Sequence, residues 1–398
     1  MNLGTRDYTS PRTPSFGQKQ RRSLLIRAVA KDSPLRRYDW ILLVSVVALS
    51  LIGTLLVYSA TQPSADPRSY LIKQLINVAL GVILMLVVSL LDYRQIRLLA
   101  PFVYVASVLG LAAVLSPLGT TVSGAKAWIN LPAGFQVEPS EFAKIGLILI
   151  IAVVFGELRD GGRIPSPKHA AGVLLLALIA VALVEREPAL GVVILLLLIT
   201  AGMIALSGLK LRWVAGMAAV GVLAVVAVFK LHLLRSYQLD RLTAFLHPAA
   251  DPTGTGYETI HSKIMIGSGG MFGTGLLHGP LVTASFVPNQ QTDFIFSVAG
   301  EEVGFVGCAV IIALLAIVIF RALRIASRAD DQFGLLVASG IALWFGLQAF
   351  INIGMTIGIM PVTGLPLPFV SYGGSAMFAD MIAIGVLQSV HRRHPVFG

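Results

Sequence analysis

From Trp40 onward the chain alternates long apolar runs with short polar connections, and the runs are too long to be β-strands. Ten segments read as membrane-spanning helices, at about the 17–25 residues that crossing a bilayer requires. They lie near 40–60, 71–91, 98–117, 139–157, 168–185, 188–207, 211–230, 293–320, 333–357 and 367–390. The fifth and sixth are separated only by the hairpin Glu185-Arg186-Glu187-Pro188. Two connections break the short-loop pattern, 118–138 and 231–292. The longer one carries Phe245, Tyr257, Ile264, Met265, Ile266, Met271 and Phe272, and is expected to form short amphipathic helices lying on the outer membrane face. The fold class expected is therefore all-α: a ten-helix membrane domain over 40–392 with one large extracellular loop at about 231–292.

The flanks differ in kind. Residues 1–39 hold nine Lys or Arg among Ser, Thr and Pro, without the apolar core of a signal peptide. They read as a disordered basic tail, and the first apolar segment is expected to remain as an uncleaved anchor. Residues 393–398 form a short second tail.

Composition sharpens this picture. Of the 398 residues, 56% are apolar and 13% charged, against roughly 25% charged in soluble domains. The single cysteine, Cys308, excludes a disulfide framework and a thiolate metal cluster. The net charge of +10 invites a nucleic-acid reading. However, twenty-one of the thirty Lys and Arg residues fall in the first tail and in alternate short connections. That distribution is a topology signal: both termini are cytoplasmic by the positive-inside rule, both long loops face outside, and no nucleic-acid partner is expected.

Four constellations carry candidate chemistry. In Phe286–Ser297, Asp293 stands where the external loop meets the eighth span, flanked by Phe294, Ile295 and Phe296. Partial desolvation would raise its pKa and suit it to act as a general base; an N-cap role is the alternative, and the two are compatible. Glu301, Glu302 and Asp380 lie within spans, where carboxylates must be paired or face a cavity; a basic neighbour is the expected partner for one of the glutamates. In the second constellation, Lys126 and Trp128 precede Glu138-Pro139-Ser140-Glu141-Phe142-Ala143-Lys144. Glu141 and Lys144 share a helix face. They read either as a surface pair beside an interfacial tryptophan or as a substrate site, with Lys126 and Lys144 on phosphate and Trp128 against a sugar or lipid. The glycine-rich run 267–275 fits neither a dinucleotide fingerprint nor a P-loop, and reads as a tight external turn whose amides can meet an anion. Arg241, Lys263, His261 and His278 lie nearby in sequence without metal-ligand spacing. Finally, Gly364–Ser375 reads as broken or re-entrant backbone.

Taken together, Arg37-Tyr38-Asp39-Trp40, Tyr58-Ser59-Ala60-Thr61, the 138–144 motif, Asp240-Arg241-Leu242, the glycine-rich run, Thr292-Asp293-Phe294-Ile295-Phe296 and Gly364–Ser375 resemble the SEDS family of bacterial cell-envelope proteins. This group includes RodA, FtsW and SpoVE, and the start of the first span is more similar to the RodA branch. The resemblance implies a peptidoglycan glycosyltransferase of the cytoplasmic membrane, polymerising lipid II at an outward-facing site in cell elongation and working with a class B penicillin-binding protein. It implies Asp293 as the catalytic residue, with Trp128, Glu141 and Lys144 matching the family's aromatic, glutamate and lysine at the fourth span. Lys126, Arg241, Lys263, Thr292 and Glu187 complete the expected substrate contacts, and a divalent cation such as Mg or Mn would assist the pyrophosphate. A flippase for the same lipid, or a cell-division member of the family, are the alternatives. Two departures stand out: Glu187-Pro188-Ala189-Leu190-Gly191 replaces the common Gln-Pro-Asp-Leu-Gly, and Lys126 stands where arginine is common.

Overall fold

The computed structural model describes residues 37–122, 125–130, 136–187, 189–231, 235–248 and 254–392. Most of the expected basic tail, the tail at 393–398, and Ser123, Gly124, Phe135 and Pro188 lie outside the described residues. The compact unit that begins at Asp39 contains the helical bundle.

Each of the ten apolar segments contains a helix. In chain order these are α1 (Trp40–Ala60), α2 (Pro67–Leu90), α3 (Tyr93–Leu115), α4 (Pro139–Asp160), α5 (Pro167–Val184), α6 (Leu190–Leu206) and α7 (Leu211–Lys230). The large loop adds α8 (Ser236–Leu246), α9 (Thr255–Ser268) and α10 (Pro280–Thr283), and then come α11 (Ile295–Glu302), α12 (Gly304–Ser327), α13 (Gln332–Thr356) and α14 (Gly374–His391). Among the described residues, seven helices are long and apolar enough to cross a membrane: α1, α2, α3, α5, α7, α12 and α13. Aspartates start several of them: Asp39, Asp66, Asp92 and Asp331 each accept a first-turn backbone N–H.

Burial decides the layering. The apolar stretch of α13 is 72% buried, against 22% for α2. Nearly every residue of α4 from Pro139 to Phe155 is likewise enclosed. These two helices are the centre of the bundle, and α2, α3 and α12 turn residues such as Ile83, Phe102 and Phe320 outward. In a bilayer that outward greasy face is solvated by lipid, which explains the composition.

Two findings differ from the sequence expectation, and a third, the packing of α9, adds to it. The 118–138 connection holds an antiparallel sheet of β1 (Gly119–Val122), β2 (Ala125–Asn130) and β3 (Gln136–Val137), the one exception to the all-α pattern among the described residues. The helix α9 packs against the bundle through one face. It buries Ser262 and Met265, and the Ser262 hydroxyl pairs with Ser297 of α11 and donates to Thr356 O of α13. The eighth segment is broken, because α11 stops at Glu302 and α12 restarts at Gly304, whose φ is +64°.

The glycine-rich run seals that break. Thr274 and Gly275 donate to the carbonyls of Glu301 and Glu302, while Phe305 and Val306 donate to those of Gly270 and Met271. The amides of Gly273, Thr274 and Gly275 are thus spent on backbone carbonyls. A Cβ at Gly269 would fall 1.9 Å from Gly300 O, and one at Gly273 (φ +79°) 2.1 Å from Glu302 O. Gly273→Ala is therefore expected to cost about 2–4 kcal/mol through overpacking and left-handed strain. Thermal unfolding in detergent checks this; an unchanged midpoint would show that the seam yields freely.

Candidate functional site

The site is built on the segment that leads into α11. From Ser285 to Phe294 the chain runs in successive turns, with Ser285 and Asn289 in left-handed backbone (φ +50° and +51°). Asn tolerates that conformation because its short polar side chain bonds locally. The helix cap falls on Phe294, so Asp293 stands one residue outside it, and the capping reading of Asp293 does not hold.

A second segment, the connection 357–373 between α13 and α14, braces the first. The side-chain NH2 of Asn352 donates to Asp293 O at 2.8 Å and to Leu365 O at 2.7 Å. Ser371 Oγ donates to Thr292 O at 2.6 Å, and Tyr372 N to Gln291 O at 2.9 Å. Gln348, one turn before Asn352, holds Pro366 O, and Asp380 of α14 accepts from Phe369 N. The connection is the re-entrant backbone expected near 364–375. Its polar groups are satisfied by amides and hydroxyls from the spans, as irregular backbone at membrane depth requires. Gly364 (φ +74°) passes beside the carboxylate, where a Cβ would lie 3.6 Å from Asp293 Oδ2.

Asp293 is half-buried. Burial pushes its carboxyl up to about 6, against the lowering effect of the Arg241 guanidinium and the Thr292 hydroxyl. Arg241, on α8, donates to Val362 O at 3.3 Å and so meets the same re-entrant connection. Two more carboxyls converge here. Glu138, the residue before α4, is raised to about 7 by burial and then by Glu141, with a smaller contribution from Asp293, against Ser140 and Lys144. Glu187 is fully buried, neither of its oxygens has a hydrogen-bond partner, and burial followed by Glu138 raises it to about 8. Acids raised into this range exchange protons near neutrality, which is what general acid-base work needs.

Comparison with known proteins decides the family. The model for FtsW, RodA and SpoVE, described as a cell cycle protein, matches residues 39–395. The chain belongs to the FtsW/RodA/SpoVE family. A probable peptidoglycan glycosyltransferase FtsW of Trichlorobacter lovleyi is 37% identical over 92% of this chain and 96% of its own length. The peptidoglycan glycosyltransferase MrdB of Escherichia coli K12 is 37% identical over 90% of this chain and 97% of its own. Among solved structures, a chain of a peptidoglycan synthase complex that coordinates polymerization and crosslinking is 31% identical, with a TM-score of 0.74 and coverage of 89% and 98%. The rod shape determining protein RodA of Thermus thermophilus is 30% identical, with a TM-score of 0.65 and coverage of 89% and 97%.

In this FtsW/RodA/SpoVE member the expected site residues divide into two groups. Asp293, Thr292, Arg241 and Glu187 gather with Glu138. Lys144 and Glu141 instead form a fully buried ion pair, with Lys144 Nζ also donating to Gln348 Oε1 at 3.1 Å and lying 5.0 Å over the Trp344 ring. They are neither a surface pair nor exposed phosphate contacts. Lys126 Nζ donates to Leu115 O and Ser116 O at 3.3 and 2.8 Å, closing the C-terminal end of α3. Trp128 sits half-buried on β2 opposite Thr120. Lys263 is exposed and lies over Gly358.

The intramembrane acids also settle differently. Glu301 accepts from Leu281 N and Val282 N, and Glu302 from Ser59 Oγ and Leu277 N, so neither relies on the basic partner expected for one of them. Among the described residues no group of three or more His, Cys, Asp or Glu side chains is arranged to hold a metal ion. Sequence reasoning missed Glu138, Asn352 and Ser371. The signal for Asn352 was present: Gln348 and Asn352 are amides four residues apart on one face of an apolar span, and polar residues there are rarely idle.

Proposed function

We propose that this chain is a peptidoglycan glycosyltransferase that polymerises lipid II at the outer face of the cytoplasmic membrane, with Asp293 as the general base. The single observation that carries the reading is a braced, half-buried carboxylate raised to about 6 beside a guanidinium, in a family whose relatives carry that activity in their names. The acceptor hydroxyl loses its proton to Asp293 as its oxygen attacks the anomeric carbon. The bond to the polyprenyl pyrophosphate breaks, and the leaving group departs with the electron pair. Arg241 is placed to offset the charge developing there. Attack opposite the leaving group inverts the anomeric centre, with no covalent enzyme intermediate.

The orientation with both termini cytoplasmic, and a class B penicillin-binding protein as partner, belong to the same proposal. The synthase-complex neighbour supports the partner. The flippase alternative needs a polar path through the spans, but Glu301, Glu302 and Asp380 are buried and each has an oxygen held by a backbone or hydroxyl group of the fold. The test is purified chain with its partner and lipid II: glycan strands form with the wild type and fail with Asp293→Ala at unchanged thermal stability. Polymer made equally by both would overturn the reading. In cells, depletion that rounds them supports elongation, whereas filaments support division.

Asn352 takes a positioning role in this scheme. Asn352→Ala removes both hydrogen bonds that fix Asp293 and Leu365, and kcat is expected to fall about 10–100-fold with a smaller change in KM. Single-turnover polymerisation separates the two; a pure KM effect would contradict the brace.

A further inference from the structure

A cavity of about 190 Å³ opens beside the segment that carries Asp293, between the α1–α2 connection and residues 285–291. Thr61, Ser64, Tyr70, Asn289, Gln290 and Gln291 line it, and none of its described lining residues is charged. Gln290 is buried and ties the two walls together, its NH2 donating to Ala60 O at 2.8 Å and Val282 O at 2.9 Å, while its Oε1 is left without a partner. Tyr70 packs against Tyr372 with ring centroids 5.3 Å apart, and Tyr372 N holds Gln291 O. The cavity wall is therefore continuous with the brace that fixes Asp293.

The lining selects a chemistry. Thr61 and Ser64 spend their protons on main-chain carbonyls, so toward the cavity their oxygens are acceptors. A pyrophosphate or carboxylate would find no cation here, and a lipid tail would strand the polar groups. A sugar supplies hydroxyl and acetamide donors together with an apolar ring face for Tyr70. The volume is below the ~300 Å³ of ordinary small-molecule sites, which suits one ring and not a disaccharide. Gln291 is two residues from Asp293, so their Cα atoms lie within about 7 Å.

We propose that this cavity is the acceptor subsite, holding the terminal N-acetylated hexose ring of the acceptor lipid and presenting its hydroxyl to Asp293. The proposal rests on the glycosyltransferase reading. Arg241 reaches the base from Val362 on the re-entrant connection, which leaves that side for the charged donor and this uncharged side for the acceptor.

The experiment uses the full chain with its partner in detergent and lipid II bearing a photoreactive acetamide on its terminal sugar. Cross-links are expected within 60–70 or 285–291, in the wild type and in Asp293→Asn alike. Ser64→Trp, which fills the cavity, should abolish them. Asn289→Gly, which removes a lining amide without backbone strain, should raise the acceptor KM about three- to tenfold with kcat little changed, the worth of about one hydrogen bond. Thermal melts confirm that both variants fold. Cross-links elsewhere, or cross-links and KM indifferent to both variants, overturn the subsite. Absence of wild-type polymer overturns the glycosyltransferase reading instead, wherever the cross-links fall, and full polymerisation by Asp293→Asn takes the base away from Asp293 and with it the placing of the acceptor hydroxyl.

Discussion

Asp293→Asn should slow glycan polymerisation by about 10²–10⁴-fold, the range supplied by a positioned general base. Asparagine keeps the shape and size of the carboxylate, and the hydrogen bond from Asn352 goes to the main-chain carbonyl of residue 293, so it survives the substitution. What disappears is the proton acceptor. The same group sets the pH profile. A base must be deprotonated to act, and burial raises Asp293 to about 6, so kcat/KM should fall as pH drops through that value and level off above it. Arg241 lowers this pKa, so Arg241→Gln moves the acidic limb to higher pH in addition to any loss in rate. Polymer yield measured between about pH 5 and 8 checks both. An acidic limb that stays in place after loss of Arg241, or a rate untouched by Asp293→Asn, would assign the base elsewhere.

The second large effect is on stability. Lys144→Ala is expected to destabilise the chain by about 3–5 kcal/mol, because it leaves Glu141 charged and enclosed and also strips Gln348 of a donor. The attraction itself is not the whole of that figure: much of it is the penalty for the orphaned carboxylate. The double variant Glu141→Leu/Lys144→Met, which removes both charges with apolar side chains, should therefore recover most of the loss. Chemical unfolding in micelles followed by tryptophan fluorescence measures both variants. A single variant within about 1 kcal/mol of wild type would mean that the pair is not a tie in the bundle.

The bundle is legible in the sequence for a simple reason. Apolar runs of bilayer length leave few alternatives to a helix, so each of the ten expected segments contains one, even where Gly304 breaks the eighth. Asp293 is legible because an acid amid Phe294, Ile295 and Phe296 is costly without a use. The cations are harder. Lys126 resembles a phosphate ligand until β2 carries it to the open carbonyls of α3, and nothing in the local sequence shows that those carbonyls are near. Lys144 and Glu141 have the i,i+3 spacing of a surface pair; only the packing of α4 against α13 and α14 shows that their face is closed. Glu187 stands out in the sequence as a departure from the family pattern, but its unpartnered oxygens and its neighbour Glu138 are properties of the tertiary fold.

The seam between the glycine-rich run and the broken helix bears on how the chain assembles. Gly270 and Phe305, joined across it, are thirty-five residues apart, so the cost of closing that loop is small beside that of the ties reaching from α1 to α14. Ribosomal synthesis delivers 269–275 before 301–306, and the docking segment is thus already present when α11 and α12 emerge. The unpaired carbonyls at the helix break never need to wait in lipid for a distant partner. The segment that carries Asp293 then matures with the eighth segment, and the 357–373 connection, which emerges later, braces a carboxylate already in position.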